Sequence, residues 1–520
     1  MRNFPLPHSS SLNAARRAAE LDEIAAGETV DVLVVGGGVT GTGIALDAAS
    51  RGLSVALVEA EDLAFGTSRW SSKLIHGGLR YLAHGELALA WESAVERHVL
   101  LTRTAPHLVR TLPQVIPLEE RNARRRGAFL GAGLVAGDLL RRGAGTPSSL
   151  LPPPRRISIA EARALVPCLR RADLACALLS FDGALTDDAR LVVALARTAA
   201  GYGARILTRL RATAVAGDHV TVLDGCTGQQ ATLRARVVLN AAGVWAGGLT
   251  DAVRLHPSRG SHLVLDGVDL GLSTTALTVP IPGERNRFVL LIPQPSGHAL
   301  LGLTDEPMTG DIPDIADVPD SDVDFLLGVV STALNRKLTR SDVLGSFAGM
   351  RPLLAGSRTR SADLSRKHAI VSAANGVLTV VGGKLTTYRK MAEDAVDAAI
   401  TAAGLYAGPT RTTRLPLVGA APRSALSAMD VPERLIAKYG TEATRIAAVA
   451  ELDAELAKPV APGTAITGAE IAFAVRHEGA LDVADVLERR TRLGLVPSTA
   501  AAAAPQVSEI TRRALAGLAG

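Results

Sequence analysis

At 520 residues the chain is too long for one simple core, so two or three domains are expected. Its 56 basic and 51 acidic side chains nearly cancel, leaving +5, and only 3% of residues are aromatic. That balance argues against a nucleic-acid partner and against base stacking, while the small basic excess suits an anionic substrate or an anionic lipid surface.

Cys168, Cys176 and Cys226 form no CxxC pair and no zinc-spaced cluster with histidine, so buried or incidental thiols in a reducing cytoplasm are expected, and no metal site. Arg16-Arg17 hints at twin-arginine export, but the acidic Ala18–Ile24 that follows has no apolar run, which argues against it. No stretch reaches the ~18–20 apolar residues that span a bilayer. The expectation is a cytoplasmic protein, soluble or resting on the inner face of the cell membrane.

Residues 1–28 read as an irregular, partly helical arm. Val30–Val35 is apolar and β-branched and runs into glycines, the pattern of a buried parallel strand. Gly41–Ala49 has helical composition, and Ser54–Glu59 repeats the strand pattern, completing a βαβ unit. Gly36, Gly38 and Gly41 fill the places of G-x-G-x-x-G between the first strand and the helix. The first allows the tight turn, the second lets backbone approach a pyrophosphate, and the third lets helix pack on strand. The helix N-terminus directs N–H groups and positive potential at the same anion. Glu59, at the end of the next strand, is placed to accept hydrogen bonds from ribose hydroxyls.

Farther along, Gly127–Leu140 is fourteen mostly apolar residues between Arg124–Arg126 and Arg141-Arg142. It is too short to span, and reads either as a segment lying in a headgroup layer or as a core helix between two solvated basic ends. Asp138 favours the surface version. Thr146–Pro154 is a proline-rich loop. Arg236–Gly243 and Val377–Gly383 repeat the strand-then-glycine pattern, which predicts one sheet assembled from strands distant in sequence. Between them, about 260–345, runs such as Arg287–Ile292 and His298–Leu303 alternate as an antiparallel sheet does. From Val431 onward helical spacing dominates, with Ala500–Pro505 read as a weak linker before a last short helix.

The glycine loop alone does not separate NAD from FAD. Gly66–Leu82 (GTSRWSSKLIHGGLRYL), Asn240–Trp245 (NAAGVW), Gly349–Leu353 (GMRPL), Gly382–Lys390 (GGKLTTYRK) and Ala474–Leu495 carry more. Over about residues 28–497 the chain resembles the aerobic FAD-dependent glycerol-3-phosphate dehydrogenases of the glycine/D-amino-acid-oxidase superfamily. The resemblance implies an α/β fold with an FAD-binding doubly wound, Rossmann-like domain, an antiparallel-sheet substrate domain and a C-terminal all-α domain. The expected division is an arm at 1–28, a discontinuous body at 29–405 and a helical domain at 406–520. Within the body, the FAD part covers about 29–100, 183–260 and 345–405, and the cap about 101–182 and 261–344.

The implied reaction is hydride transfer from C2 of sn-glycerol 3-phosphate to flavin N5, giving dihydroxyacetone phosphate, with electrons leaving to a membrane quinone or another acceptor. Such chemistry needs a proton acceptor for the hydroxyl, cations for the phosphate and positive potential near the reduced ring. By resemblance, Gly66, Thr67, Ser68, Ser72, Lys73 and Leu74 wrap the flavin, Ala242 and Gly243 pass its adenosine half, and Gly383, Lys384, Thr386 and Thr387 approach its ring. His76 supports the flavin loop. Arg80, Tyr81, Arg351, Arg366 and Lys384 are the substrate-binding candidates, and Lys367 stands where relatives often carry an acidic residue. His262 is the candidate base, as an imidazole that titrates near working pH, although a structural histidine fits equally. A homodimer and a peripheral membrane contact are compatible with the resemblance. A glycerol-3-phosphate oxidase, an amine oxidase of the same superfamily, an FAD-dependent RNA-modifying protein and a catalytically silent flavin scaffold are the rival readings.

Overall fold

A computed structural model describes residues 6–78, 85–121, 123–284, 287–354 and 368–518. Five strands form a parallel core: β1 (Thr29–Val35), β2 (Val55–Val58), β3 (Arg205–Leu207), β4 (Gln230–Asn240) and β5 (Leu378–Val381), in the order β5-β4-β1-β2-β3. The strands predicted around Val30, Ser54, Arg236 and Val377 therefore do share one sheet. Val32 and Val34 of β1 face a layer of three helices, Val39–Ser50, Asp188–Gly201 and Tyr388–Ala403. Leu33 and Val35 face the opposite side, with Ile24 of the helix Ala14–Ala25 and Val220 and Val222 of the hairpin strand His219–Asp224. With period two and both faces covered, its inner stretch Val32–Val35 must be apolar, and truncating a residue such as Leu33 to alanine costs about 2–5 kcal/mol.

The second sheet is antiparallel apart from one parallel pair, Ala276–Pro280 against Val109–Glu119. Its longest pairing joins Val109–Glu119 to Leu174–Leu185, and Ser258–Asp266 lies between His298–Gly302 and Val343–Arg351. Alternation sorts its two faces. Val115, Leu179, Leu263, Leu277 and Leu291 enter a core closed by helices Ile159–Leu165 and Asp320–Ser331. Their neighbours Gln114, Ile116, Ser180, Asp182, His262, Thr278 and Leu290 face a large cavity instead.

The C-terminal region is helical: Glu433–Tyr439, Ala443–Leu452, Gly468–His477 and Pro497–Ala516. The last corrects the expected linker at Ala500–Pro505, because one 20-residue helix runs through it with Pro505 inside. Alanine is the strongest helix former, and Ala503, Val507, Ile510 and Ala514 pack into a core shared with Ile471, Ala472 and Val475. That burial offsets the roughly 3 kcal/mol cost of an interior proline. All three cysteines are free, Cys168 and Cys176 buried and Cys226 exposed.

Candidate active site

A single cavity of about 1740 Å³ runs between the two sheets, larger than the roughly 300–1,000 Å³ typical of small-ligand sites. One end is the glycine loop. Gly36 has φ +115°, and a Cβ there would stand 2.5 Å from the carbonyl oxygen of Ala241. A Cβ on Gly41 would overlap the carbonyl oxygen of Gly36, so helix Val39–Ser50 reaches β1 only with glycine at that point. Gly36 and Gly38 line the cavity, whereas Gly41 acts behind it through this close approach. Glu59 lines the same end, its Oε2 accepting from Gly37 N at 2.6 Å and its Oε1 from Glu61 N at 2.9 Å. Each carboxylate oxygen keeps a further lone pair for a ligand hydroxyl. A crowded turn, a helix N-terminus and a cavity-facing carboxylate fit an adenine dinucleotide.

The loop after β2 forms one wall. Gly66, Thr67, Ser68, Ser72 and Leu74 line the cavity. Ser68 Oγ accepts from Val39 N at 2.9 Å, and Thr67 Oγ1 donates to the Met350 carbonyl at 2.5 Å. Lys73 does not line it: its ammonium is buried at 2.6 Å from Asp188 Oδ1. Ala242 and Gly243 line the opposite side, as do Gly383, Lys384 and Thr386, whereas Thr387 is buried behind them. Lys384 precedes the 3₁₀ turn Leu385–Thr387 that leads into helix Tyr388–Ala403, and its Nζ donates to Ser93 Oγ at 2.8 Å. His76 also lines the cavity.

At the far end the antiparallel sheet contributes His262 and Arg351. Arg351 Nη1 donates to Ser258 Oγ at 3.1 Å and lies 3.2 Å from Asp305 Oδ1, while Nη2 donates to the Thr304 carbonyl at 3.2 Å. The guanidinium lies against Gly260, where any side chain would overlap it. His262 Nε2 is 2.8 Å from Ser72 Oγ, and the ring stacks on Phe347 with centroids 4.8 Å apart. Burial, reinforced by the charges of Arg351 and Lys73, pushes the His262 pKa down to about 3. This corrects the expectation of an imidazole titrating near working pH: the free site holds it neutral. Asp182, also lining the cavity, is 2.5 Å from Arg97 Nη1 and accepts from Gly77 N at 3.1 Å.

The structure thus gathers His262, Arg351, Lys384 and the glycine loop around one space. Arg80, Tyr81 and Arg366 lie outside the described residues. Sequence reasoning missed Ser258, Thr304 and Asp305, which anchor Arg351, and the Arg97–Asp182 pair. Arg351 belonged to a recognisable motif, whereas its anchors become visible only when strands Ser258–Asp266 and Val343–Arg351 pair.

Helix Ala123–Gly143 borders the cavity through Leu130, Gly133 and Leu134. Phe129, Val135 and Leu139 are 57%, 57% and 61% exposed, next to the exposed Arg124, Arg125 and Arg142. Asp138 is buried rather than solvated, pairing with Arg141 at 2.6 Å and Arg142 at 2.8 Å, and Arg141 is buried with it. The C-terminal end is therefore only half as basic to solvent as its sequence suggested. No described helix is long and apolar enough to cross a membrane.

Comparison with known proteins agrees with this geometry. The family model described as FAD dependent oxidoreductase matches residues 31–389, and that for the C-terminal domain of alpha-glycerophosphate oxidase matches 410–516. Glycerol-3-phosphate dehydrogenase 1 of Mycobacterium tuberculosis (strain ATCC 25618 / H37Rv) is 53% identical over 499 residues, covering 95% of this chain and 96% of that one. The mitochondrial glycerol-3-phosphate dehydrogenase SDP6 of Arabidopsis thaliana is 34% identical over 96% of this chain and 85% of its own. Among solved structures, the glycerol-3-phosphate dehydrogenase from Bacillus halodurans complexed with FAD superposes with a TM-score of 0.73 at 25% identity, covering 98% of this chain and 97% of that one. The glycerophosphate oxidase of Mycoplasma pneumoniae shares the fold, with a TM-score of 0.57 at 19% identity over 75% of this chain and 99% of that one. With its glycine cradle, its carboxylate and its two-sheet cavity, the chain belongs to the family of FAD-dependent oxidoreductases.

Proposed function

We propose that this chain oxidises sn-glycerol 3-phosphate to dihydroxyacetone phosphate on its FAD and passes the electrons to a membrane quinone. One observation carries the reading: two cationic side chains, Arg351 and Lys384, both line the cavity that the dinucleotide cradle opens into. The 53% identity to a glycerol-3-phosphate dehydrogenase supports the same substrate.

Bound FAD supplies the two-electron acceptor. The protein's work is to hold it, orient the alcohol and manage one proton. Gly36, Gly38 and Glu59 would hold the adenosine and pyrophosphate, with Gly41 behind them bringing the helix up to the strand. Gly66, Thr67, Ser68, Ser72, Leu74, Ala242, Gly243, Gly383 and Thr386 enclose the rest, braced from behind by Lys73 and Thr387. Arg351 presents guanidinium donors to the substrate phosphate, and Arg80, Tyr81 and Arg366 are further candidates for it by resemblance alone. Lys384 adds positive potential to the cavity. His262, paired with Ser72, takes the hydroxyl proton. The phosphate dianion offsets the Arg351 charge that depresses its pKa, so substrate binding itself moves the imidazole toward basicity.

The exposed apolar residues of helix Ala123–Gly143, bordered by arginines, suit a headgroup layer, which supports a peripheral position on the inner membrane face. Anaerobic mixing tests the substrate. Glycerol 3-phosphate should bleach the visible flavin band while glycerol and glycine leave it unchanged, and bleaching by glycine instead would favour an amine oxidase. Stoichiometric peroxide in air would favour the oxidase reading over the quinone-linked one.

A further inference from the structure

The C-terminal region carries three arginines, Arg489, Arg490 and Arg492, with side chains only 4%, 0% and 8% exposed. None lines the cavity. All three reach the outer side of the loop whose inner side is the cavity wall.

Asp62, three residues beyond Glu59, is the first anchor. Arg490 donates through Nη1 and Nη2 to its two carboxylate oxygens, each at 2.8 Å, and Arg489 Nε donates at 2.6 Å. Burial alone would raise this carboxyl, but the two guanidiniums outweigh it and hold its pKa at about 2. Arg492 supplies the second anchor. Its Nη2 donates to the Arg69 carbonyl at 2.7 Å and its Nη1 to the Glu488 carbonyl at 2.7 Å. The guanidinium also lies 5.2 Å over the Trp70 ring, and 3.6 Å and 3.9 Å from Asp187 and Asp188. Arg69 closes the circuit, reaching Glu488 at 3.2 Å and the Phe65 carbonyl at 2.9 Å.

Asp188 carries the contact back into the wall. It accepts from Ser71 N at 2.9 Å, Ser71 Oγ at 2.7 Å and Lys73 Nζ at 2.6 Å. Ser72 lies between those two residues, and its hydroxyl meets His262. Arg492 itself adopts φ +65°, a left-handed conformation that arginine disfavours, so the surrounding contacts hold it there.

We infer that the C-terminal region is a clamp on the cofactor wall, with Arg492 as a positioning residue that fixes loop 60–73 against FAD and, through Asp188 and Ser72, orients His262. The inference rests on the chain's use of FAD and is independent of which alcohol it oxidises.

The test uses the full-length chain stripped of FAD and titrated with it. Arg492→Met should weaken FAD binding roughly tenfold, the loss of a charge-assisted hydrogen bond, and should alter the visible circular dichroism of the bound flavin. Arg512→Met, on the last helix with its side chain 69% exposed, should change neither. Should Arg492→Met fail to fold, Glu488→Gln releases the Arg69 end from a side chain already 33% exposed and is read in the same way. Wild-type FAD affinity and an unaltered flavin spectrum in the folded variant would overturn the clamp. An unmodified chain that binds no FAD would instead overturn the family reading.

Discussion

Ser72 and His262, separated by 190 residues in the chain, meet at 2.8 Å across the boundary between the cofactor wall and the antiparallel sheet. The imidazole meets that hydroxyl at its Nε2 edge and stacks its face on the Phe347 ring, and it is neutral because burial and two nearby cations oppose its protonation. His262→Gln should therefore keep FAD bound yet slow flavin reduction by roughly 10²–10⁴-fold, the usual contribution of a positioned proton acceptor. Anaerobic stopped-flow absorbance reads both quantities, and an unchanged rate removes His262 from the reaction.

Arg351 should behave differently. Ser258 and Asp305 hold its Nη1 and the Thr304 carbonyl holds its Nη2, which fixes the plane it presents to a phosphate. Arg351→Ala should leave FAD bound, raise KM for glycerol 3-phosphate and lower kcat/KM by roughly 10²-fold or more. Arg351→Lys should restore little, because a point charge cannot bridge the same three partners. Steady-state kinetics on the two variants decides.

Some of this was legible in the chain and some was not. The parallel core was, because a strand buried on both faces must be apolar along its buried stretch, as Val32–Val35 is. The antiparallel wall was legible as alternation, but that pattern does not say which face meets a ligand. Leu263 and His262 are adjacent, yet one enters the core and the other the cavity. Asp62 and Arg490 stand 428 residues apart, and neither position has local spacing that advertises the pairing. Pro505 misled because a local breaker was overridden by tertiary packing of the alanine-rich face around it.

Acid stability offers an independent check. Burial, with the Arg190 charge, lowers the His107 pKa from 6.5 to about 3, and its Nδ1 has no hydrogen-bond partner among the described residues. A histidine whose folded value lies below its unfolded value binds fewer protons when folded, so stability is full above about pH 6.5 and falls as pH drops toward 3. His107→Asn should narrow the difference in Tm between pH 7 and pH 5 by about 2 °C or more. Thermal melts of the two proteins at both pH values test this, and an unchanged difference would mean that His107 does not titrate on unfolding.

Membrane contact turns on Val135 and Leu139, both more than half exposed on the helix beside the cavity and neither of them lining it. Leu139→Asp, on the same helix but outside the cavity lining, should reduce co-sedimentation with anionic lipid vesicles roughly fivefold, through lost apolar burial and added like charge, without altering flavin reduction by glycerol 3-phosphate. Equal co-sedimentation would place the lipid contact elsewhere on the surface.

Reduction by this route requires a phosphorylated alcohol held with its C2–H directed at the flavin. Single-turnover anaerobic reduction with glycerol 3-phosphate carrying deuterium at C2 tests this most directly. The flavin band should bleach several-fold more slowly than with the protonated substrate, with half-saturation at the same concentration, as expected for a bond broken in the reduction step. Bleaching that ignores the isotope at C2 and at every concentration, or no bleaching at all, would contradict it.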